Sequence, residues 1–344
     1  MVKKIKQILK FFIVSGLLIF FLYLAFKDID FNKLIEELLK TNYILAILGM
    51  IVGLVIGSVI RAERWRYFLY PQKKNIKFGD LFSAVMIGYF VNAIIPRGGE
   101  VSRPFLLAQK EGISKAFTLG TIVVERIFDM LSMFFVFGLC LFFYRNKIQE
   151  AFGKYDIENI SLYFSLGLLF LVIIAVILLI KIEKTEYFLE KFASRLLPKK
   201  YREKFQKALL SLLNSFSFIK YKENYLKIFL LSVLLWLDYA FSTYLFINAF
   251  SDPTMKSLNF LDANVVLTLT AFAQTIPLPG NSAGSYHFFV KTTLVVIYGV
   301  MSETAMAYAT ISHLLTFIGI IVIGFYYSLK ENYKFSFKLN KSSQ

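Results

Sequence analysis

Cysteine and histidine are nearly absent from this chain. Its 344 residues include one cysteine, Cys140, which lies in an apolar run, and two histidines, His287 and His313. A single thiol cannot form an internal disulfide, and these three side chains are too few for a four-ligand zinc site of cysteine and histidine. The sequence therefore predicts no disulfide framework, no metal site and no cofactor.

Motifs for nucleotide chemistry are also lacking. No GxxxxGK[ST] run is present, so the chain has no P-loop of its own with which to hydrolyse ATP. Asp28-Ile29-Asp30 matches the Asp-x-Asp pattern of nucleotide-sugar transferases, but it stands in a short loop without a nucleotide-binding domain, and we interpret the match as chance. The apolar stretch Ile8–Phe26 has no small-residue cleavage site after it, so it is interpreted as a retained span rather than a signal peptide.

The chain is rich in hydrophobic residues, many of them in long apolar runs. Hydrophobic residues make up 57% of it and aromatic residues 17%, including 38 phenylalanines, and the mean hydropathy is +0.60. These values exceed what a soluble globular domain of this length tolerates. We predict an all-α integral membrane protein with about six full spans. The spans can be placed at Ile8–Phe26, Tyr43–Ile60, Ala116–Tyr144, Ile160–Ile182, Tyr225–Phe250 and Glu303–Leu329.

The net charge of +16 comes from 39 basic and 23 acidic residues, and the basic residues are clustered. They concentrate in residues 1–10, in 61–80, in 181–227 and in the tail after Leu329. By the positive-inside rule these segments lie in the cytoplasm, which predicts a multi-pass protein of the cell membrane with both termini cytoplasmic. We interpret the basic segments as topology signals and contacts with anionic lipid, and expect no nucleic-acid partner.

Two further apolar stretches are broken by proline and glycine. Leu81–Ile95 ends at Pro96, and Phe260–Ile276 ends at Pro277. If all basic segments are cytoplasmic, residues 81–115 must begin and end on the cytoplasmic side, and residues 259–302 on the outer side. We therefore predict two re-entrant broken-helix hairpins that open from opposite faces, with tips near 96–103 and 277–284, in an inverted-repeat arrangement.

This topology divides the chain into five parts. Residues 183–224 mix charges with apolar residues at a spacing that suits an amphipathic cytoplasmic helix on the inner leaflet. The expected parts are an N-terminal span with an outer loop (1–42), a first membrane repeat (43–182), this linker (183–224), a second membrane repeat (225–329) and a cytoplasmic tail (330–344).

The first tip combines glycine with charge. Gly98 and Gly99 can adopt backbone angles that turn amide N–H groups inward, and such a nest binds anions. Arg97 and Arg103 add planar guanidinium groups suited to phosphate. Glu100, three residues from each arginine, would orient them or bind a substrate amine. The tip is therefore a candidate substrate-binding site.

A second charged group lies inside the next apolar run. Glu125 and Asp129 are four residues apart on one helix face, and Arg126 pairs with Asp129 at a spacing of three. One such charge in mid-span costs roughly 2.5–3.5 kcal/mol on insertion scales, so the group implies mutual pairing or a ligand-handling cavity. Two interpretations stay open: a substrate site shared with the tip, or a scaffold in which the tip charges only neutralise this group.

Further candidates lie in the second half of the chain. Asp238 is alone in its apolar span, so it either meets a basic partner or binds a coupling proton. Pro279, Gly280 and Gly284 supply turn residues and exposed backbone at the second tip. His287, just after that tip, is either a site residue or a structural hydrogen-bonding group. His313, in the last span, is interpreted as an interhelical hydrogen-bonding group.

The run Asn92–Arg103, followed by Gly112-Ile113-Ser114 and by Val123–Asp129, resembles the flippase-like membrane proteins related to the N-terminal domain of lysylphosphatidylglycerol synthases. The later turn Pro277–Gly284 is also similar to that family, and the resemblance covers residues 43–329. One departure is that many members have a glutamate shortly after this turn, where the present chain has Tyr286-His287. Any role of that carboxylate is therefore not carried over.

The resemblance implies a domain that binds or moves a phospholipid or a polyprenyl-linked lipid. We expect a flippase-like lipid translocase that holds a lipid phosphate at mid-membrane, between the two tips, through Arg97 and Arg103. Two alternatives stay open: a membrane component of a lipid-modifying transferase of the aminoacyl-phospholipid synthase type, with a separate enzyme partner, and a non-catalytic scaffold. Since only fifteen residues follow residue 329, we expect that the chain does not itself make aminoacyl-phospholipid.

Overall fold

The computed structural model of the chain describes residues 2–151 and 213–333, together with a few isolated positions between them. The regular elements of these ranges are all helical, which confirms the predicted class. The longer helices are α1 (Val2–Phe26), α2 (Phe31–Lys40), α3 (Tyr43–Met50), α4 (Gly57–Leu69), α5 (Phe78–Ile94), α6 (Gly99–Glu111), α7 (Lys115–Ala151), α8 (Tyr225–Asn248), α9 (Pro253–Ser257), α10 (Phe260–Gln274), α11 (Ser285–Tyr298) and α12 (Ser302–Lys330).

Four helical stretches of the described ranges are long and apolar enough to cross a membrane: Tyr43–Leu69, Lys115–Tyr144, Lys222–Asn248 and Ser302–Lys330. Each overlaps a predicted span, and the predicted span Ile8–Phe26 falls within α1. The chain is thus a multi-pass membrane protein. The predicted span Ile160–Ile182 and most of the amphipathic linker lie outside the described residues.

The second span is longer than predicted and contains an irregular turn. A π-helical segment, Ile51–Ile56, joins α3 to α4, and α4 continues nine residues beyond the predicted end at Ile60. Arg61 and Arg64 therefore lie in this membrane helix and not in a basic loop, which corrects the predicted boundary. The π-helical form is rare and is often found at functional sites.

Helices α5 and α6 form a hairpin. A Cβ atom at Gly99 would overlap the carbonyl group of Gly88, so the two helices approach too closely for any side chain at this point. Asn92 Oδ1 accepts a hydrogen bond from the Gly99 amide at 2.7 Å and fixes the start of α6. At the other end, Lys110 forms ion pairs with Asp80 at 2.5 Å and with Glu331 at 2.6 Å. The hairpin therefore begins and ends at the same face of the helix bundle.

Helices α10 and α11 form a second hairpin around the turn 275–284. Backbone φ angles are positive at Gly280 (65°), Asn281 (56°), Ser282 (64°) and Gly284 (84°), so this turn uses the left-handed region repeatedly. The Ser282 hydroxyl donates to the Ile276 carbonyl at 2.9 Å and closes the turn. The open end of this hairpin lies at the face of the bundle that carries the 27–30 and 249–258 loops.

The two hairpins open at opposite faces, and their turns meet between those faces. One face, called here the basic end, carries the loops 70–77 and 112–114, which are linked by a hydrogen bond from the Ser114 amide to Gln72 Oε1 at 3.0 Å. At the other face the Asn42 amide donates to the Ala249 carbonyl at 2.8 Å. Between them, Arg97 Nη2 donates to the carbonyl of Thr275 at 3.1 Å. This contact joins the first chain reversal to the second.

Candidate functional site

Three helices bring charged side chains together beside the first hairpin. We call this group the arginine cluster. It consists of Arg61 and Arg64 from α4, Arg103 from α6, and Glu125, Arg126 and Asp129 from α7. The spacing of three on α4 and of four on α7 places the members from each helix on one face. The sequence therefore builds the cluster from the facing stripes of three packed helices.

Glu125 is the centre of the arginine cluster. Its side chain is fully buried, and Arg103 Nη2 donates to its Oε2 atom at 2.5 Å. Its Oε1 atom accepts from Arg61 and, at 2.9 Å, from Arg126. Three guanidinium groups thus surround one carboxylate, and removal of its charge would leave them facing one another.

Asp129 is the second carboxylate of the cluster. It accepts from Arg64 at 2.5 Å and forms ion pairs with Arg61 at 3.0 Å and with Arg126 at 3.2 Å. The ion pair predicted between Arg126 and Asp129, which are three residues apart on α7, is present. Arg61 contacts both carboxylates and so links them across α4 and α7.

Polar and aromatic side chains complete the lining of the cluster. The Arg103 guanidinium lies 4.3 Å from the ring centre of Trp65, a cation–π contact, and the Trp65 indole donates to Thr121 Oγ1 at 2.9 Å. Arg61 donates to the Tyr239 hydroxyl at 3.1 Å, and Arg64 donates to Ser232 at 3.2 Å. Helix α8 thereby closes the side of the cluster opposite the hairpin.

The arginine cluster is not electrically balanced. Among the residues that the structure describes, four guanidinium groups face two carboxylates, which leaves an excess of two positive charges. In addition, the Nε atom of each of these four arginines is buried without a hydrogen-bond partner in the described part of the chain. Positive charge in a region of low dielectric is costly unless an anion compensates it, so the site favours a negatively charged ligand.

A cavity of about 50 Å³ adjoins the cluster inside the first hairpin. One buried water needs about 10–15 Å³ by the same measure, so the cavity has room for a few waters or for a group of similar size. Arg126 keeps 41% of its side chain exposed and joins the cavity to the surroundings. The cavity is lined by Gly88, Tyr89, Asn92, Gly99, Glu100, Arg103, Ile122 and Arg126.

Glu100 is the carboxylate of this cavity that has no partner. It is half-buried, and its side chain forms no hydrogen bond or ion pair with the residues that the structure describes. It therefore does not orient Arg97 or Arg103, as one of the sequence-based interpretations required. A free carboxylate beside Arg126 and Arg103 leaves the cavity with groups of both signs.

The first tip itself is built differently from the predicted anion nest. The φ angle of Gly98 is −62°, and the positive φ angle belongs to Arg97 at 61°. The amides of residues 98–102 donate to protein acceptors, among them Asn92 Oδ1 and the carbonyls of Ile95, Arg97 and Gly98. These amides are therefore committed, and Gly99 is needed for close helix approach and not for anion binding.

Arg97 and Arg103 point to different neighbours. Arg97 is exposed and bonds to Thr275, whereas Arg103 is buried against Trp65 and Glu125. The two guanidinium groups therefore do not form one site, and Arg97 does not neutralise the carboxylates of α7. The role in charge pairing that the sequence assigned to Arg97 belongs to Arg61 and Arg64.

The second tip contributes packing and hydrogen bonds. Gly284 lies against α1, where a Cβ atom would be 3.1 Å from the Leu18 carbonyl oxygen. Pro279 and Gly280 are half-buried in the turn. His287 is buried with its ring 5.0 Å from that of His313, and its Nδ1 atom has no hydrogen-bond partner among the described residues. His313 Nε2 lies 3.3 Å from the Asn281 carbonyl, which agrees with its predicted hydrogen-bonding role.

Asp238 meets no basic partner within residues 2–151 and 213–333. Its side chain faces Gly57 of α4, is 8% exposed, and leaves Oδ2 without a hydrogen bond. Of the two sequence-based interpretations of Asp238, the ion pair is therefore not found among the described residues. The role as a proton carrier stays open.

Arg61 and Arg64 are the site residues that sequence reasoning missed. A hydropathy window ends where charges begin, so it assigns both arginines to the basic loop 61–80. The signal that could have located them is the apolar stripe that continues beyond them. Its buried members are Ile60, Ala62, Trp65, Phe68 and Leu69.

Comparisons with known proteins place the chain among membrane proteins. A UPF0104 membrane protein, MJ1595 of Methanocaldococcus jannaschii, is 30% identical over 203 residues, which are 57% of this chain and 59% of that protein. No solved structure matches the chain. The family model described as the lysylphosphatidylglycerol synthase TM region matches residues 7–324, which include both hairpins and the arginine cluster. The chain therefore belongs to the family of the lysylphosphatidylglycerol synthase transmembrane region.

Proposed function

We propose that this protein is a flippase-like lipid translocase of the cell membrane that binds the phosphate of a lipid headgroup at the arginine cluster. The observation that carries the proposal is the excess of two positive charges in a buried cluster beside a cavity. Guanidinium groups bind phosphate through two parallel hydrogen bonds, and such charge-assisted bonds are roughly twice as strong as neutral ones. A lipid phosphate would supply the missing negative charge.

The proposal includes a placement in the membrane. The basic end faces the cytoplasm, both termini are cytoplasmic, and the two hairpins are re-entrant from opposite faces as halves of an inverted repeat (43–182 and 225–329). This placement is supported by the opposite openings of the hairpins and by the contact between Arg97 and Thr275. Re-entrant hairpins of this kind place polar groups at mid-membrane depth in transporters.

The binding place differs from the one that the sequence indicated. The lipid phosphate is expected in the cavity of the first hairpin, at Arg103 and Arg126, and not between the two tips. Arg126 is the residue that a ligand reaches first, because it is the most exposed arginine of the cluster. The cavity is small, so we expect only the phosphate group to enter it while the acyl chains stay in lipid.

Lipid binding to Arg126 variants tests the proposal. Arg126→Lys keeps the charge but loses the two-pronged geometry, so phosphatidylglycerol binding measured by native mass spectrometry should weaken by about 10- to 100-fold, the equivalent of one charge-assisted hydrogen bond. Arg66→Gln is the control, because it removes an arginine charge from α4 at a side chain that pairs with Glu63 outside the cluster. This control should bind like wild type.

A second lipid separates phosphate capture from general lipid adhesion. Diacylglycerol with the same acyl chains lacks the phosphate and should bind weakly and equally to all variants. Equal binding of both lipids by wild type and Arg126→Lys would mean that the cluster is a scaffold. Phosphate-dependent binding without leaflet exchange in proteoliposomes would favour the alternative of a membrane component for a lipid-modifying transferase.

A further inference from the structure

Glu100 is a charged group of the lipid cavity to which the proposed function assigns no role. The cavity is about 50 Å³, and Glu100 lines it together with Arg103 and Arg126. Because the cavity is this small, a phosphate group bound to the two arginines would also face the Glu100 side chain. A carboxylate repels a bound anion, so its presence in a phosphate site requires an explanation.

Two structural roles for Glu100 do not fit its surroundings. An acidic residue in the first turn of a helix can accept hydrogen bonds from the free amides there. The amides of residues 98–102 donate instead to Asn92 and to backbone carbonyls. An ion pair is the second role, but the Glu100 side chain forms none with the residues that the structure describes, although Arg103 lies three residues further along α6. The side chain is therefore free to act on a group that enters the cavity.

The two arginines of the cavity keep donors for such a group. Arg103 and Arg126 bond to the carboxylates of α7 through their Nη2 atoms. Their Nε and Nη1 atoms have no hydrogen-bond partner within the described ranges. Arg103 is held in place by Trp65 and Glu125, whereas Arg126 is 41% exposed. A bound phosphate therefore meets two cations and one carboxylate in the same small space.

Glu100 changes the charge that a ligand must supply. The described residues of the arginine cluster carry a surplus of two positive charges, and with Glu100 included the surplus is one. A lipid phosphodiester has a single negative charge, whereas a phosphomonoester has about 1.5–2 negative charges at neutral pH. The diester thus leaves the site neutral, and the doubly ionised monoester leaves it with a net negative charge.

This difference in charge affects the free energy of binding in two ways. Removal of an ion from water into a site of low dielectric is costly, and the cost rises with the square of the charge, so a monoester loses more on entry than a diester. Repulsion by the Glu100 carboxylate is also about twice as large for a double charge as for a single one. Both effects disfavour the monoester, although guanidinium groups alone would accept either headgroup.

We propose that Glu100 is the specificity-determining residue of this site, and that it makes the cavity select lipids with a singly charged phosphodiester over lipids that end in a phosphomonoester. This role rests on the proposed function, because it requires that a lipid phosphate enters the cavity. It also separates the two lipid classes that the sequence left open. A glycerophospholipid with a diester headgroup fits the site, whereas a polyprenyl monophosphate, which is a monoester, does not.

Native mass spectrometry of the purified full chain with two matched lipids, sprayed at pH 8, tests the proposal. Phosphatidic acid is a phosphomonoester, and phosphatidylmethanol is its methyl diester with the same acyl chains. Wild type should bind phosphatidylmethanol at least about tenfold more tightly, and Glu100→Gln should lower this ratio by at least about tenfold. A tenfold change corresponds to about 1.4 kcal/mol, the interaction of two unit charges about 6 Å apart at an effective dielectric constant of about 40.

Two further variants separate the charge of Glu100 from other effects. Glu100→Asp keeps the carboxylate on a side chain one methylene shorter and should retain most of the discrimination. Glu36→Gln is the control, because it removes a carboxylate from an exposed pair with Lys40 on α2 and should keep the wild-type ratio. Glu100 makes no hydrogen bond or ion pair with other described residues, so Glu100→Gln should melt like wild type in detergent.

Three results would overturn the role of Glu100 while phosphate lipids still bind. One is an equal ratio in wild type and Glu100→Gln, and another is a preference of wild type for phosphatidic acid. The third is stronger binding of phosphatidylethanolamine than of phosphatidylmethanol by wild type but not by Glu100→Gln, which would assign Glu100 to an ammonium group. If neither phosphate lipid binds more tightly than diacylglycerol, the proposed function itself fails, and the role of Glu100 fails with it.

Discussion

Neutralisation of Glu125 is the most direct test of how the arginine cluster is held together. In Glu125→Gln the side chain keeps its shape but loses its charge, and four guanidinium groups are left with Asp129 as their carboxylate partner. Arg103 loses its ion pair and keeps the cation–π contact with Trp65 beside a neutral amide. Breaking a buried ion pair in this way costs about 3–5 kcal/mol, because the remaining charge is uncompensated.

This cost can be measured as a decrease in the melting temperature. Each kcal/mol shifts the melting temperature of a large domain by about 2 °C, so Glu125→Gln should melt about 6–10 °C below wild type in detergent. The control is Glu36→Gln, which removes a carboxylate from an exposed pair with Lys40 at 2.7 Å. Exposed pairs contribute little, so this variant should melt like wild type.

The comparison of the two variants decides the interpretation. If Glu125→Gln also melts like wild type, the four guanidinium groups are hydrated or already neutralised by bound lipid anions, and the cluster does not hold the helices together. Addition of phosphatidylglycerol should raise the melting temperature of wild type and of Arg66→Gln alike, since the lipid phosphate supplies negative charge to the site. No stabilisation by this lipid would contradict an anion deficit.

Two other predictions concern the hairpin and the topology. Gly99→Ala should lower the melting temperature by the equivalent of about 1–3 kcal/mol or more, because its Cβ would overlap the Gly88 carbonyl. Gly138→Ala is the control and should not destabilise the protein, because the space around Gly138 is open. Equal effects of the two substitutions would contradict the close packing of α5 on α6. In a Cys140→Ser background, single cysteines at Lys74 and Asn332 should be labelled from the cytoplasmic side and those at Asp28 and Ser257 from the outer side; labelling of Lys74 and Asn332 from different sides would refute the proposed placement.

The chain reversals could be predicted from the sequence because proline and glycine act locally. Pro96 and Pro277 each follow an apolar stretch that is too short to cross a membrane, and the chain turns within a few residues of both. The helix class follows equally directly from hydrophobic length. These features depend on neighbouring residues along the chain, and a sequence displays them without any knowledge of the tertiary contacts.

The composition of the site could not be predicted in the same way. The choice between Arg97 and Arg103 as a partner for Glu125 depends on how α6 rotates against α7, and both arginines have the same charge and type. Arg97 faces the second hairpin because its own backbone turns left-handed, with φ at 61°, before α6 begins. The rotation of α6 is set by its close contact with α5, where Gly99 meets Gly88, and this contact is a tertiary feature.

The correction at α4 changes the functional argument as well as the span boundary. The charges at the first tip and on α7 sum to zero when counted alone, and a balanced group is what a scaffold requires. With Arg61 and Arg64 added, and Arg97 and Glu100 unpaired with the cluster, the group carries two uncompensated positive charges among buried helices. A self-neutralising scaffold would pair all of its charges, whereas Glu100 lines the adjoining cavity unpaired and offsets at most one of the two surplus positive charges. The surplus of positive charge therefore favours binding of an anionic ligand over neutralisation by the carboxylates of the cluster itself.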